Sequence, residues 1–255
     1  MPAQGSVPVA LSKKHKLDDG DDVPAKKHKT VTNNSLDETT GPVGFQWDGE
    51  NYSCVYDSLF SIFYDIWKDD PKGRSGRFKH INSRFLGSLG KGFEKVLQNK
   101  STLEEVRDII RQKLHTMNAE RYPLGKTGAI VGYLAVDMLQ SNRVVTVSQI
   151  MCSECDYAEP ELANQLGYTL CASNNVRSKS TLEWMSKTEI SITAECPNCS
   201  SALTNLIFYN EVPQILICEY PLTGIKTSHK ITFVTGEKET VLHLRGIVVF
   251  ISHLG

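Results

Sequence analysis

The seven cysteines of this chain divide by spacing into two kinds. Cys152-Ser153-Glu154-Cys155 and Cys196-Pro197-Asn198-Cys199 are CxxC pairs with 40 residues (156 to 195) between them. Each pair presents two sulfurs from one tight turn, and two such turns complete a tetrahedral four-sulfur site suited to zinc. Four thiolates leave no open position for a substrate water, so the expected role of the metal is structural. The alternatives are redox pairs or packed thiols. Cys171 lies in the gap and Cys218 in an apolar run, and both read as packed residues. Cys54 stands alone where a polar loop turns into an apolar helical pattern. A thiol at a helix N-terminus faces the positive end of the backbone dipole, which favours the thiolate. A thiolate is the nucleophile of acyl transfer once a base and an oxyanion donor are near. The competing reading is a buried cysteine that happens to begin a helix.

The elements that must position these residues are legible from periodicity. Over Cys54 to Trp67, Val55, Leu59, Ile62, Phe63 and Ile66 recur at helical spacing, widened by Phe60 and Trp67. Ser101-Thr102-Leu103-Glu104-Glu105 is a helix-start signal, followed by Val106, Ile109, Ile110, Leu114 and Met117. Lys72 to Gly92, rich in Gly, Ser and Arg, is expected to be a loop with a short helix, and residues 128–139 another helix. After Ser141 the pattern becomes β-like. Strands are expected at Val144 to Val147, Leu206 to Tyr209, Ile215 to Cys218, Lys230 to Val234 and Leu244 to Ile251. Helices first and strands second predict an α+β domain with a helical N-terminal part and an antiparallel β C-terminal part.

Composition narrows the function classes. The 255 residues carry 28 Lys+Arg against 29 Asp+Glu, a net charge of -1. That balance, with no concentrated basic face evident, argues against nucleic acid as the main partner. No apolar run reaches the length of a membrane span, and the first ten residues lack a secretory pattern, so the expected location is intracellular. Residues 1–44, rich in Pro, Ser, Thr and Asn and free of aromatic residues, are expected to be a disordered tail. Its clusters Lys13-Lys14-His15-Lys16 and Lys26-Lys27-His28-Lys29 flank an acidic stretch, a pattern that fits a bipartite nuclear-import signal or a self-compensating solvated tail. Residues 45–255 are the expected folded domain, with a metal finger inserted over 150–205.

The run Trp47-Asp48-Gly49-Glu50-Asn51-Tyr52-Ser53-Cys54-Val55-Tyr56-Asp57-Ser58 resembles the cysteine box of the ubiquitin-specific protease superfamily. With Trp47 seven residues before the cysteine and Asp57 three after, it is most similar to the divergent SUMO-isopeptidase-like branch. The order of features fits as well: cysteine box, helices, a finger with two CxxC pairs, the Pro213-led strand, and a histidine box at Leu244 to His253. The resemblance implies a papain-like cysteine peptidase fold with a zinc-ribbon-like finger. It implies Cys54 as nucleophile, His253 as base with His243 as the backup, and a ubiquitin or ubiquitin-like modifier with its protein conjugates as partner and substrate. The family's oxyanion Asn or Gln is replaced by Asp48 and Gly49, which leaves Asn51 as the substitute donor. The family's orienting Asp or Asn and a further strand follow the histidine, whereas this sequence stops at Gly255. Truncation is therefore expected, and an inactive modifier-binding module stands as the alternative to an isopeptidase. A zinc-ribbon protein associated with nucleic acid is the second alternative.

Overall fold

Cys54–Lys68 forms helix α1, and its apolar spacing sets the first layer of the core. Tyr56, Leu59, Phe60, Phe63, Ile66 and Trp67 are buried, while Val55 and Ile62 are only partly covered, so the inward face is turned slightly toward Tyr56. The computed structural model describes residues 44–165, 167–170, 180–185, 189–219, 226–235 and 238–249. The expected tail (all but Gly44), Cys171 and His253 therefore lie outside the described residues.

The expected loop at Lys72 to Gly92 is instead two helices, α2 (Pro71–Ile81) and α3 (Leu86–Leu97). The many glycines and serines lower intrinsic helix propensity. The start signal was nonetheless present. Asp70 caps α2 by accepting the Gly73 N–H at 3.1 Å, and Pro71 occupies the first turn, where its missing N–H costs nothing. Tertiary packing supplies the rest. A Cβ at Gly92 would lie 2.3 Å from Val106, so α3 can approach α4 this closely only with glycine there. Between α2 and α3, Asn82 accepts the Phe85 N–H and donates to the carbonyls of Asp137 and Gln140.

Helix α4 (Leu103–Met117) begins at the expected place with a reciprocal capping box between Thr102 and Glu105. Helix α5 (Val131–Leu139) starts three residues later than the sequence expectation. Together α1 to α5 enclose one apolar cluster in which Phe93 meets Tyr64 edge-on at 4.9 Å and Trp67 at 5.6 Å between ring centroids.

The second half is mixed in its strand pairing. β1 (Thr146–Cys152), β2 (Leu162–Asn164), β4 (Glu189–Glu195) and β5 (Ala202–Tyr209) form an antiparallel sheet in the order β2-β1-β5-β4. β3 (Tyr168–Leu170) pairs in parallel with β6 (Ile217–Glu219), and a short helix α6 (Thr181–Met185) lies between β3 and β4 in the chain. β7 (Lys230–Thr235) and β8 (Lys238–His243) form a hairpin. Cys218 is half-buried and packs beside the Tyr209, Ile231 and Phe233 cluster, as a packed thiol should. The architecture is α+β. The expected strand from Leu244 is a difference: Leu244 to Val249 has no strand structure, because His243 already pairs with Lys230, the first residue of β7, so β7 offers no partner beyond it. Instead Arg245 pairs with Asp69 at the end of α1, and Gly246 lies so close to Ile62 that a Cβ would come within 2.6 Å.

Phe93→Ala should destabilise the helical half by about 3–5 kcal/mol, the range for deleting a fully buried aromatic side chain. Urea unfolding followed by helical circular dichroism checks this. A loss under about 1 kcal/mol would show that α3 is not part of the core.

Candidate functional site

The Cys54 site is built from a loop that the sequence alone does not explain. Residues Trp47 to Ser53 curl around the Asp48 carboxylate. It accepts the backbone N–H groups of Glu50 at 3.0 Å and Asn51 at 3.2 Å, and the Asn51 side-chain amide at 2.7 Å. The Asn51 side chain foremost, helped by these backbone N–H groups, holds the Asp48 carboxyl below its usual value. Tyr52 takes a left-handed φ of 43°, a conformation that costs a non-glycine residue roughly 1 kcal/mol or more and persists only where its surroundings fix it.

What fixes it is a buried polar chain. The Ser53 hydroxyl accepts the Asp48 N–H at 2.7 Å and donates to Asp57. Asp57 in turn accepts from Arg107 of α4 at 3.0 Å, with both side chains shielded from solvent. Arg107 also donates to the Gln46 carbonyl at 2.8 Å and to Asp108 at 2.9 Å. One helical turn on, Arg111 donates to the Asn51 carbonyl at 2.7 Å and lies 4.8 Å from the centre of the Tyr56 ring. Both faces of the loop are thus tied to α4.

Cys54 emerges from this frame exposed, as the first residue of α1. The hydroxyl of the N-cap residue Ser53 makes no capping bond, because it is committed to Asp48 and Asp57. The first-turn N–H groups have no intrahelical acceptor and no side-chain cap here, so an incoming oxyanion would meet donors beside the thiol. The Asn51 amide is turned toward Asp48. Among the described residues no hydrogen bond joins Cys54 to a histidine. His243 closes β8, exposed and opposite Lys230.

Sequence reasoning missed Arg107 and Arg111. Their signal was present: Leu103, Val106, Arg107, Ile110, Arg111 and Leu114 share one buried helical face, so two arginines sit in an otherwise apolar stripe. Buried arginines in that position need acceptors, and Arg111 finds one through Nη2 while its buried Nε has none among the described residues.

The four CxxC cysteines do come together. Their sulfurs all lie within 4.8 Å of one another, with Cys152 3.5 Å from Cys199 and Cys155 3.5 Å from Cys196. A tetrahedral zinc with Zn–S of about 2.3 Å needs sulfurs about 3.8 Å apart, so the cluster could hold a metal ion. Sheet register brings the turns together: Cys152 at the end of β1 faces Leu203 of β5, and the Cys196–Cys199 turn joins β4 to β5. The Ser201 hydroxyl, then the Ser201 N–H and Cys152, draw the Cys199 thiol down to about 6. At Cys155 the Tyr157 N–H lowers the value, but burial and the neighbouring thiols together push it up to about 12.

No family model matches the chain, and no curated protein matches it. Solved structures similar to it include the Saccharomyces cerevisiae PAN2 pseudoubiquitin-hydrolase-RNase module, at 13% identity and a TM-score of 0.40 over 66% of this chain and 33% of that one. Another is the Saccharomyces cerevisiae PAN2 pseudoubiquitin-hydrolase, at 12% identity and a TM-score of 0.34 over 78% of this chain and 63% of that one. The chain therefore spans less than two thirds of either neighbour. Both TM-scores fall below 0.5, so neither overlap establishes a shared fold. No helix among the described residues is long and apolar enough to cross a membrane.

Two predictions follow from the two sites. Arg107→Met strands the buried Asp57 charge and should cost about 3–5 kcal/mol, whereas the paired change Arg107→Met with Asp57→Leu should recover much of it. Chemical denaturation of the single and double variants against the unchanged chain tests this, and an equal loss in both would refute the pairing. Separately, the purified chain should retain one zinc per molecule by elemental analysis, and Cys196→Ala should reduce it to near zero. Full retention by that variant would remove the site.

Proposed function

We propose that residues 45–255 act as a papain-like, thiol-dependent isopeptidase that removes ubiquitin or a ubiquitin-like modifier from proteins. The observation that carries this reading is the exposed Cys54 thiol at the first residue of α1, held by an Asp48–Ser53–Asp57–Arg107 chain, buried from Ser53 to Arg107, that leaves the first-turn N–H groups uncapped. Cys54 would attack the carbonyl of the modifier's C-terminal glycine, with its thiol proton passing to His253. The first-turn amides would hold the oxyanion. Collapse breaks the C–N bond, and His253 returns the proton to the leaving lysine amine. Water then cleaves the thioester, releasing the modifier's carboxylate and restoring the thiol.

Chain reach supports His253 as the base. Gly246 lies against Ile62, eight helical residues or about 12 Å from Cys54. The seven residues from Gly246 to His253 can span up to about 23 Å. His243, exposed at the end of β8, is the alternative base. Zinc on the four cysteines would serve as a structural clasp on the finger, and the basic clusters of the first 44 residues would act as a nuclear-import signal.

One observation favours the second reading, an inactive modifier-binding module: the Asn51 amide, the substitute oxyanion donor, is spent on Asp48. Ubiquitin and SUMO probes carrying a C-terminal electrophile separate the two. The isopeptidase reading expects a covalent adduct with at least one probe, abolished in Cys54→Ala and slowed at least about tenfold in His253→Ala. Binding of an unmodified modifier with no adduct selects the module. Neither binding nor adduct overturns both.

A further inference from the structure

The nearly neutral total charge hides a separation. From Lys68 to Lys100 the sequence holds nine Lys and Arg against three Asp and Glu. Eight of the nine are exposed, and none of the ion pairs found among the described residues includes any of them. The three acids have other partners: Asp69 pairs with Arg245, Asp70 caps α2, and Glu94 accepts from Ser75.

Geometry gathers much of this charge into a ridge. Arg84, Ser88, Lys91 and Lys95 recur at helical spacing along one side of α3 and the turn before it. A Cβ at Gly87 would lie 3.0 Å from the Lys79 Cα, so Lys79 leaves α2 beside the Arg84–Ser88–Lys91 turn. From the other flank, Lys113 of α4 donates to the Ser88 hydroxyl at 2.8 Å. Arg84 and Lys113 then line a cleft of about 380 Å³ whose other walls are Gln112, Thr116 and Ile109. Four lysines from three helices and Arg84 from the turn before α3 thus gather around α3, and the cleft between Arg84 and Lys113 adds the Gln112 amide and the Thr116 hydroxyl.

We propose that this ridge binds the phosphate backbone of a nucleic acid. The class of partner follows from what the ridge lacks. Protein interfaces are anchored by buried aromatic or aliphatic side chains. No large apolar side chain is exposed between Lys79 and Lys95, and among the described residues that line the cleft the exposed Ile109 is the single apolar one. Interfaces with nucleic acid are instead polar and strongly positive, and most of their hydrogen bonds go to phosphate and sugar oxygens. The inference is independent of any chemistry at Cys54.

Fluorescence anisotropy of the full chain with a labelled 20-nucleotide single-stranded DNA, at salt concentrations from 50 to 200 mM, tests it. Five phosphate contacts predict that log K falls against log salt with a slope of about −3.5. The triple variant Lys79→Glu, Lys91→Glu and Lys95→Glu should bind at least about tenfold more weakly, with a shallower slope. All three side chains are exposed, and an unchanged melting temperature confirms the fold. A second variant with Lys13, Lys14, Lys16, Lys26, Lys27 and Lys29 changed to Gln should keep most of the affinity. No binding at 50 mM salt, undiminished binding by the triple variant, loss confined to the tail variant, or tighter binding to polyglutamate than to DNA would each overturn the proposal.

Discussion

The Asp57–Arg107 ion pair is the constraint on which the Cys54 region depends. Removing two charges from water costs several kcal/mol per ion, and their attraction offsets this only when the remaining donors and acceptors are satisfied. Here Ser53 donates to the carboxylate, while the Gln46 carbonyl and Asp108 accept from the guanidinium. The satisfied pair joins segments 50 to 61 residues apart in sequence: the loop, the first turn of α1 and the middle of α4. It also diverts the Ser53 hydroxyl from its usual capping role, so the same interaction that fixes the loop leaves the helix start open next to an exposed thiol.

The finger has a different logic. Its small cluster consists of Cys152, Cys196 and Leu203, with Ile150, Cys155, Tyr157 and Ile192 packed around it. So small an apolar core contributes little by itself. Backbone pairing aligns the two cysteine turns at one end of the sheet, and four crowded thiols complete the arrangement. A metal bound there would close a long chain excursion with strong bonds and would couple the stability of the finger to thiol deprotonation. At the α2–α3 ridge, electrostatics works without such closure. Its exposed cations take part in no ion pair among the described residues, which costs little in water but leaves a local field that a net charge of -1 conceals.

Much of the chain is determined locally and could be read from the sequence. Cys54 begins a helix because a long apolar period starts there. Thr102 and Glu105 cap α4 because a hydroxyl and a carboxylate three residues apart satisfy each other's backbone donors. The CxxC pairs declare four thiols in two turns wherever those turns are placed. Other features were decided by partners distant in sequence. Helix α3 forms despite its glycines because Gly92 lets it pack closely on Val106 of α4 and Gly87 lets it approach Lys79 of α2. The segment from Leu244 leaves the hairpin where β7 begins, opposite His243, and it is held at α1 through Asp69 and Ile62. Arg107 and Arg111 are tolerated in an apolar stripe because a loop about 60 residues away presents carbonyl oxygens to them. Residue type and short-range spacing marked the starts of α1 and α4 and placed four thiols in two turns, since these depend on interactions within one or two turns. Only the tertiary structure decided which polar groups meet in the interior, because the desolvation that makes those meetings matter exists only once the chain has folded around them.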